Sequence, residues 1–101
     1  MIARIWRGIT RTEDAPAYLD YLELSGVREC RATPGNRGVY ILHQPATKGV
    51  RFVFISLWED EAAVRAFAGE DITRAVYYPE DRRFLLELEP TVEHYEARSY
   101  S

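Results

Sequence analysis

Apolar positions along the chain alternate between extended and helical patterns. Ile2 to Thr10, Val39 to Gln44 and Val50 to Trp58 are short runs of bulky and β-forming residues bounded by turn residues, which predicts three strands. Between the first two, Tyr18, Leu19, Tyr21, Leu22 and Ser25 recur at helical spacing. Asp14 or Thr12 supplies a cap for that helix, Pro16 falls in its first turn, and Gly26 offers a stop, so a helix is expected over 14–25. Residues 27–38 are less regular and contain the turn signal Thr33-Pro34-Gly35-Asn36-Arg37-Gly38. The short polar gap Pro45 to Gly49 makes the next two strands an antiparallel hairpin. Asp60 caps a second helix over 61–68, with Val64, Phe67 and Ala68 inward and Gly69 ending it. Asp71 to Tyr78 reads as a short helical turn stopped by Pro79, Glu80 to Arg83 as solvated, Phe84 to Leu88 as a brief extended or helical segment, and Thr91 to Arg98 as the last strand. The order β-α-β-β-α-β is the α+β, ferredoxin-like arrangement of two helices on one face of a four-stranded antiparallel sheet. It occupies residues 1–101 as a single domain.

The hairpin carries a second message. Phe52, Phe54 and Trp58 share one face of their strand, and Val53, Ile55 and Leu57 share the other; in the partner strand Val39 and Ile41 oppose Tyr40 and Leu42. A strand with one wet face should alternate apolar and polar, and these do not. Two short helices can cover only one face. A second copy of the chain, packed sheet to sheet, is the expected cover for the other, because each buried Val, Leu, Ile or Phe contributes roughly 1.5–3 kcal/mol.

Composition narrows the class. The 101 residues are 47% apolar and 29% charged, an ordinary globular balance, and 13% aromatic, which favours an aromatic-walled cavity or an interface. The net charge is -3 with Lys and Arg scattered, so no basic stripe marks a nucleic-acid surface. Cys30 is the only cysteine, which excludes an internal disulfide. The first residues mix charges into their apolar run, without a signal-peptide core, and the longest apolar run, Phe52 to Ile55, is too short to span a bilayer. A cytoplasmic protein with no membrane contact is expected.

The segment Phe52-Val53-Phe54-Ile55-Ser56-Leu57-Trp58-Glu59-Asp60-Glu61-Ala62-Ala63 is a strand ending in Trp-Glu, then an acidic cap and a helix carrying Phe67. With the opening strand Met1 to Gly8 and the turn from Thr33 to Gly38, it resembles the antibiotic biosynthesis monooxygenase family, and the likeness runs on to Thr91-Val92-Glu93-His94-Tyr95-Glu96. That resemblance implies a dimeric α+β barrel of ferredoxin-like subunits. It also implies a pocket between sheet and helices, lined by the strand-end Trp58. The family's haem-degrading branch needs an Asn on the first strand and a His on the helix after the Trp. Here the only Asn is Asn36, in a turn, and the histidines are His43 and His94, both on strands. Its aromatic-oxygenase branch uses an Asn where this chain has Phe54.

Candidate site residues follow. Trp58, Trp6, Phe54 and Phe67 are the expected substrate-binding walls for a flat ligand. Tyr77 and Tyr78 follow the second helix and are candidate hydrogen-bond donors to a substrate oxygen. His43 is a candidate general base, since imidazole titrates near neutral pH, and His94 a weaker one. Cys30 lies near Arg28 and Arg31, whose charges would lower its pKa, but an incidental structural thiol is the simpler reading. Arg82 and Arg83 read as a solvated patch. No metal constellation, dinucleotide fingerprint, phosphate loop or nucleophile elbow occurs, and no cofactor is expected. The function expected is cofactor-independent oxygenation of a small aromatic or quinol-type substrate by a homodimer. The alternative is a non-catalytic dimeric module of the same fold that binds a small hydrophobic molecule or serves a structural role.

Overall fold

Alternation in the central hairpin strand decides the architecture. The computed structural model describes residues 1–101, and in it β1 (Ile2–Thr10), β2 (Asn36–Ala46), β3 (Gly49–Trp58) and β4 (Glu93–Glu96) form one antiparallel sheet in the order β2-β3-β1-β4. Phe52, Phe54, Ser56 and Trp58 of β3 are buried beneath the helices, while Val53, Ile55 and Leu57 are half-buried on the opposite face. Register extends this division across the sheet. Trp58 pairs with Ile2, Ser56 with Arg4, Phe54 with Trp6 and Phe52 with Gly8 on the covered face; Leu57 with Ala3, Ile55 with Ile5 and Val53 with Arg7 on the open one. The α+β ferredoxin-like fold expected from the sequence is the observed fold.

The hairpin turns tightly at Thr47 and Lys48. Gly49 follows at φ 144°, and a Cβ there would lie 1.9 Å from the Thr10 carbonyl oxygen, so only glycine lets β3 start against the end of β1. At the other end of β2 a bulge between Asn36 and Gly38 is held by the Asn36 side chain, which accepts from Gly38 N–H and donates to the Leu57 carbonyl.

The first helical region differs from its expected bounds. It begins with a tight turn at Thr12–Asp14 and continues as α1 (Ala15–Leu22), a wider π-type stretch Glu23–Val27, and α2 (Arg28–Ala32). Neither Thr12 nor Asp14 caps it; the Asp14 carboxylate is instead taken by Arg11 at 2.8 Å. Gly26 does not end the helix. It is buried inside it, facing the Phe54 ring, and helical structure persists until Thr33 turns extended. Packing against the sheet outweighs the stop signal of a single glycine. Burial of Cys30, on α2, raises its thiol pKa to about 12, opposite to the effect expected from Arg28 and Arg31, which are exposed.

α3 (Glu61–Ala68) matches its prediction: Asp60 Oδ1 accepts from Ala63 N–H at 2.9 Å, and Gly69 ends the helix at φ 94°. The next segment does not match. Asp71 to Tyr78 is largely irregular, tied to the chain end by an Arg74–Thr91 bridge and by Ala75 N–H bonding to the Pro90 carbonyl. Glu80 to Arg83 is not simply solvated, because α4 (Asp81–Phe84) buries Asp81 and Phe84. Trp58, Tyr18, Phe52 and Val64 are the largest side chains sealed in the core. No helix is long and apolar enough to cross a membrane.

Candidate active-site cleft

The covered face of the sheet presents two adjacent rows to the helices. Phe54 and Trp6, cross-strand partners, make an aromatic row. One step along the strands, Ser56, Arg4 and His94 pair across β3, β1 and β4 into a polar row. Tyr18, Leu22 and Gly26 from the first helical region stand over these rows, with Phe67 of α3 and the segment carrying Val76, Tyr77, Tyr78 and Asp81. The space between them is a small, mostly apolar cleft that opens to solvent at its mouth. A wider hollow beside Arg7, Lys48, Arg51, Glu87 and Glu89 is shallow and lined by long charged side chains, so the aromatic cleft is the better candidate.

The aromatic walls are held in place. Trp6 Nε1–H donates to the Tyr77 hydroxyl at 3.1 Å, the two rings meet edge to face, and Tyr77 in turn donates to the Glu89 carbonyl. The Trp6 indole lies back across Gly8, where a Cβ would fall 2.3 Å from the ring. The Tyr78 hydroxyl has no protein partner and is not sealed off, since every fully buried side-chain oxygen and nitrogen is paired. Burial raises its pKa, so it remains a neutral donor.

Two charged groups line this space without an ion-pair partner. Asp81, 3% exposed, accepts from the Tyr78 backbone N–H at 2.6 Å and from the Tyr18 hydroxyl at 3.1 Å. Burial raises its carboxyl pKa, and those two hydrogen bonds only partly offset the rise. Arg4, 4% exposed, gives Nη1–H to the Ile72 carbonyl and to His94 Nε2, and Nη2–H to the Arg74 carbonyl. Burial, then the Arg4 charge, lowers the pKa of His94, which favours the neutral imidazole that can accept from Arg4.

Of the residues singled out in the sequence, Trp6, Phe54, Phe67, Tyr77 and Tyr78 converge on the cleft. Trp58 stands one layer behind it: fully buried, its Nε1–H bonded to Ser56 Oγ at 2.9 Å and its ring stacked on Phe67. It therefore shapes two lining residues without being one. His43 is exposed on the edge strand β2, its ring against Phe52, and does not line the cleft. Sequence reasoning missed Arg4, Ser56, Tyr18 and Asp81. Arg4 had a signal, a charge at an inward position between Ile2 and Trp6. Asp81 had none, because Glu80-Asp81-Arg82-Arg83 reads as a solvated charge run. No three His, Cys, Asp or Glu side chains gather as a metal set.

No curated protein matches the sequence. Solved structures do. A crystal structure of an antibiotic biosynthesis monooxygenase is 26% identical, with 98% of this chain and 100% of that one covered at a TM-score of 0.66. A haem degrader from Mycobacterium tuberculosis with two haems bound shares the fold at 16% identity, with 100% and 99% covered and a TM-score of 0.61. So does a monooxygenase of Streptomyces coelicolor in complex with nanaomycin D, at 20% identity, 99% and 88% covered, and a TM-score of 0.55. The family model described as antibiotic biosynthesis monooxygenase matches residues 2–77, the span that builds β1 to β3, the helices over them and most of the cleft. The chain belongs to the antibiotic biosynthesis monooxygenase family.

Proposed function

We propose that the cleft binds a small aromatic or quinol-type molecule and prepares it, without a cofactor, for direct reaction with oxygen. The observation that carries this reading is Asp81: a buried carboxylate with no cation beside it, in a space otherwise walled mainly by aromatic rings. Such a group is a general base of raised pKa. Removing a proton from the activated CH2 of an anthrone-type substrate leaves a carbanion-like anion that attacks oxygen; the hydroperoxide formed on that carbon loses water to give the quinone, so oxygen is the only oxidant needed. Asp81 takes that proton, Tyr78 donates to the oxygen on which charge grows, and the apolar walls exclude water. That two relatives of the same fold hold haem and nanaomycin D supports a role for this cleft in holding flat molecules.

The test is oxygen uptake with an anthrone or a naphthohydroquinone. Because the base works ionised, kcat/KM should rise with pH through the Asp81 pKa, with its acid limb displaced above the ordinary Asp value of about 3.9. Asp81→Asn should remove the limb and slow turnover by roughly 10²–10⁴. Wild-type uptake in that variant would refute the assignment of the base. Binding of these substrates with no uptake at all would leave the non-catalytic binding module as the function.

The same reading includes a homodimer. On the open face Tyr40, Leu42 and Tyr95 are 60%, 51% and 51% exposed beside Ile5, Val53, Ile55 and Leu57. The chain exposes 6558 Å2, against about 5,900 Å2 expected for a compact monomer of 11.7 kDa.

A further inference from the structure

We propose that Arg4 seats a carboxylate of the ligand, so that the molecule taken by the cleft is an aromatic acid rather than a neutral aromatic. The inference rests on the cleft being a ligand site and goes beyond it by naming the ligand's charge. A guanidinium carries five N–H donors. In Arg4 both Nη1–H groups and one Nη2–H are committed to Ile72 O, His94 Nε2 and Arg74 O. The Nε–H has no partner and, since no fully buried nitrogen in the chain lacks one, it is not sealed off; Nη2 keeps its second hydrogen, and Arg4 lines the cleft. The Nε/Nη2 edge is the side that grips the two oxygens of a carboxylate in parallel.

The surroundings fit an anion. All three groups that hold Arg4 are neutral acceptors, which fix the guanidinium in place without cancelling its charge. Ser56, directly opposite on β3, accepts from Trp58 through Oγ and is hydrogen-bonded to Cys30, so it is a neutral neighbour that adds no competing charge. Asp81 lines the same cleft but is not the missing counter-ion. Its oxygens are bonded to Tyr18 and the Tyr78 backbone, and it forms no ion pair with Arg4. A buried cation without a carboxylate costs stability, and a ligand anion would recover it. Phe54 and Trp6 lie one row away on the same face, where an aromatic ring attached to that carboxylate would rest.

The experiment compares 2-naphthoate with its neutral isostere 2-naphthamide by calorimetry, on wild type and on Arg4→Gln, with thermal melts of both proteins. Binding is read without turnover, so this outcome is separate from oxygen uptake. The expected result is at least a 10-fold preference of wild type for the acid, lost in Arg4→Gln while amide binding is kept. Equal affinity of wild type for acid and amide overturns the proposal and leaves the oxygenase reading standing, as does an acid preference that survives in folded Arg4→Gln. Binding of neither compound overturns the proposal, and oxygen uptake with the anthrone or naphthohydroquinone then decides the ligand-site reading by itself. If Arg4→Gln fails to fold, the wild-type acid-to-amide ratio alone decides, and Arg4→Lys, which keeps the charge but not the fork, should bind the acid more weakly than wild type by several-fold.

Discussion

The two faces of the sheet are built from the same strands and behave as opposites. On the covered face the chain has sealed its largest side chains and has also buried Arg4 and Asp81, neither of them ion-paired. On the open face the charges stay in water, Arg7 paired with Glu93 and Arg51 exposed near the hairpin end, and the middle of the face is apolar: Tyr40, Leu42, Ile55. Buried charge without a partner is costly, and so is a large apolar surface in water. Each face therefore carries its own kind of unmet demand. On the proposed reading, an aromatic acid would answer the first and a second sheet the second.

The sharpest division within the covered face is between wall and support. Trp58 is sealed and supports two lining residues, Ser56 and Phe67, without lining the cleft itself, so Trp58→Ala should act first on stability, by about 3–5 kcal/mol, as large-to-small changes of buried aromatics do. For a domain of this size that is a fall in Tm of roughly 12 °C or more, read by calorimetry. A Trp58→Ala protein that melts near wild type but no longer binds aromatic ligands would erase the distinction and make Trp58 a ligand contact after all.

The open face is challenged next. Ile55 sits mid-sheet with Ile5 and Tyr40 as cross-strand partners, so Ile55→Glu would place a charge at the middle of any sheet-to-sheet contact. In a homodimer this should weaken association by roughly 10²–10³ while leaving the subunit folded, since Ile55 is only half-buried within the chain. Sedimentation should show twice the 11.7 kDa chain mass for wild type and a single chain mass for the variant. A monomeric wild type at micromolar concentration would mean that the open face is covered in some other way, or tolerated.

These contrasts also mark what the sequence made legible. Strand parity in Val50 to Trp58 exposed the two-faced sheet, and the Asp60 cap and Gly69 stop bounded α3, because those signals are local and act within one element. The long first helical region was cut short at Gly26, since what carries the helix through that glycine is packing on Phe54, a contact 28 residues away in sequence. Asp81 was invisible for the same reason. Its burial depends on Tyr18, 63 residues earlier, and nothing in its own charged neighbourhood distinguishes it from a solvated residue. The aromatic half of the cleft could be read from residue type; its ionic half required the fold.

Gly26 offers the smallest change, and one that separates the cleft from the core around it. Its φ is not positive, so alanine meets no backbone strain there and gains helix propensity of about 0.5–1 kcal/mol. Against this, the new Cβ would lie 3.3 Å from the Phe54 ring and 3.9 Å from Tyr78, tight enough that the ring must move slightly. Phe54 both joins the core and lines the cleft, so a shift of its ring is felt in the cleft. The gain and the crowding oppose each other, so Gly26→Ala should change stability by less than about 1 kcal/mol in either direction. The displaced ring narrows the cleft, and affinity for a two-ring aromatic should fall by roughly 3- to 10-fold, the scale of one misplaced methyl group. Calorimetric titration of the variant beside its melt distinguishes the cases: weaker binding at unchanged Tm places Gly26 at the ligand, and unchanged binding would show that the ligand does not lie against Phe54.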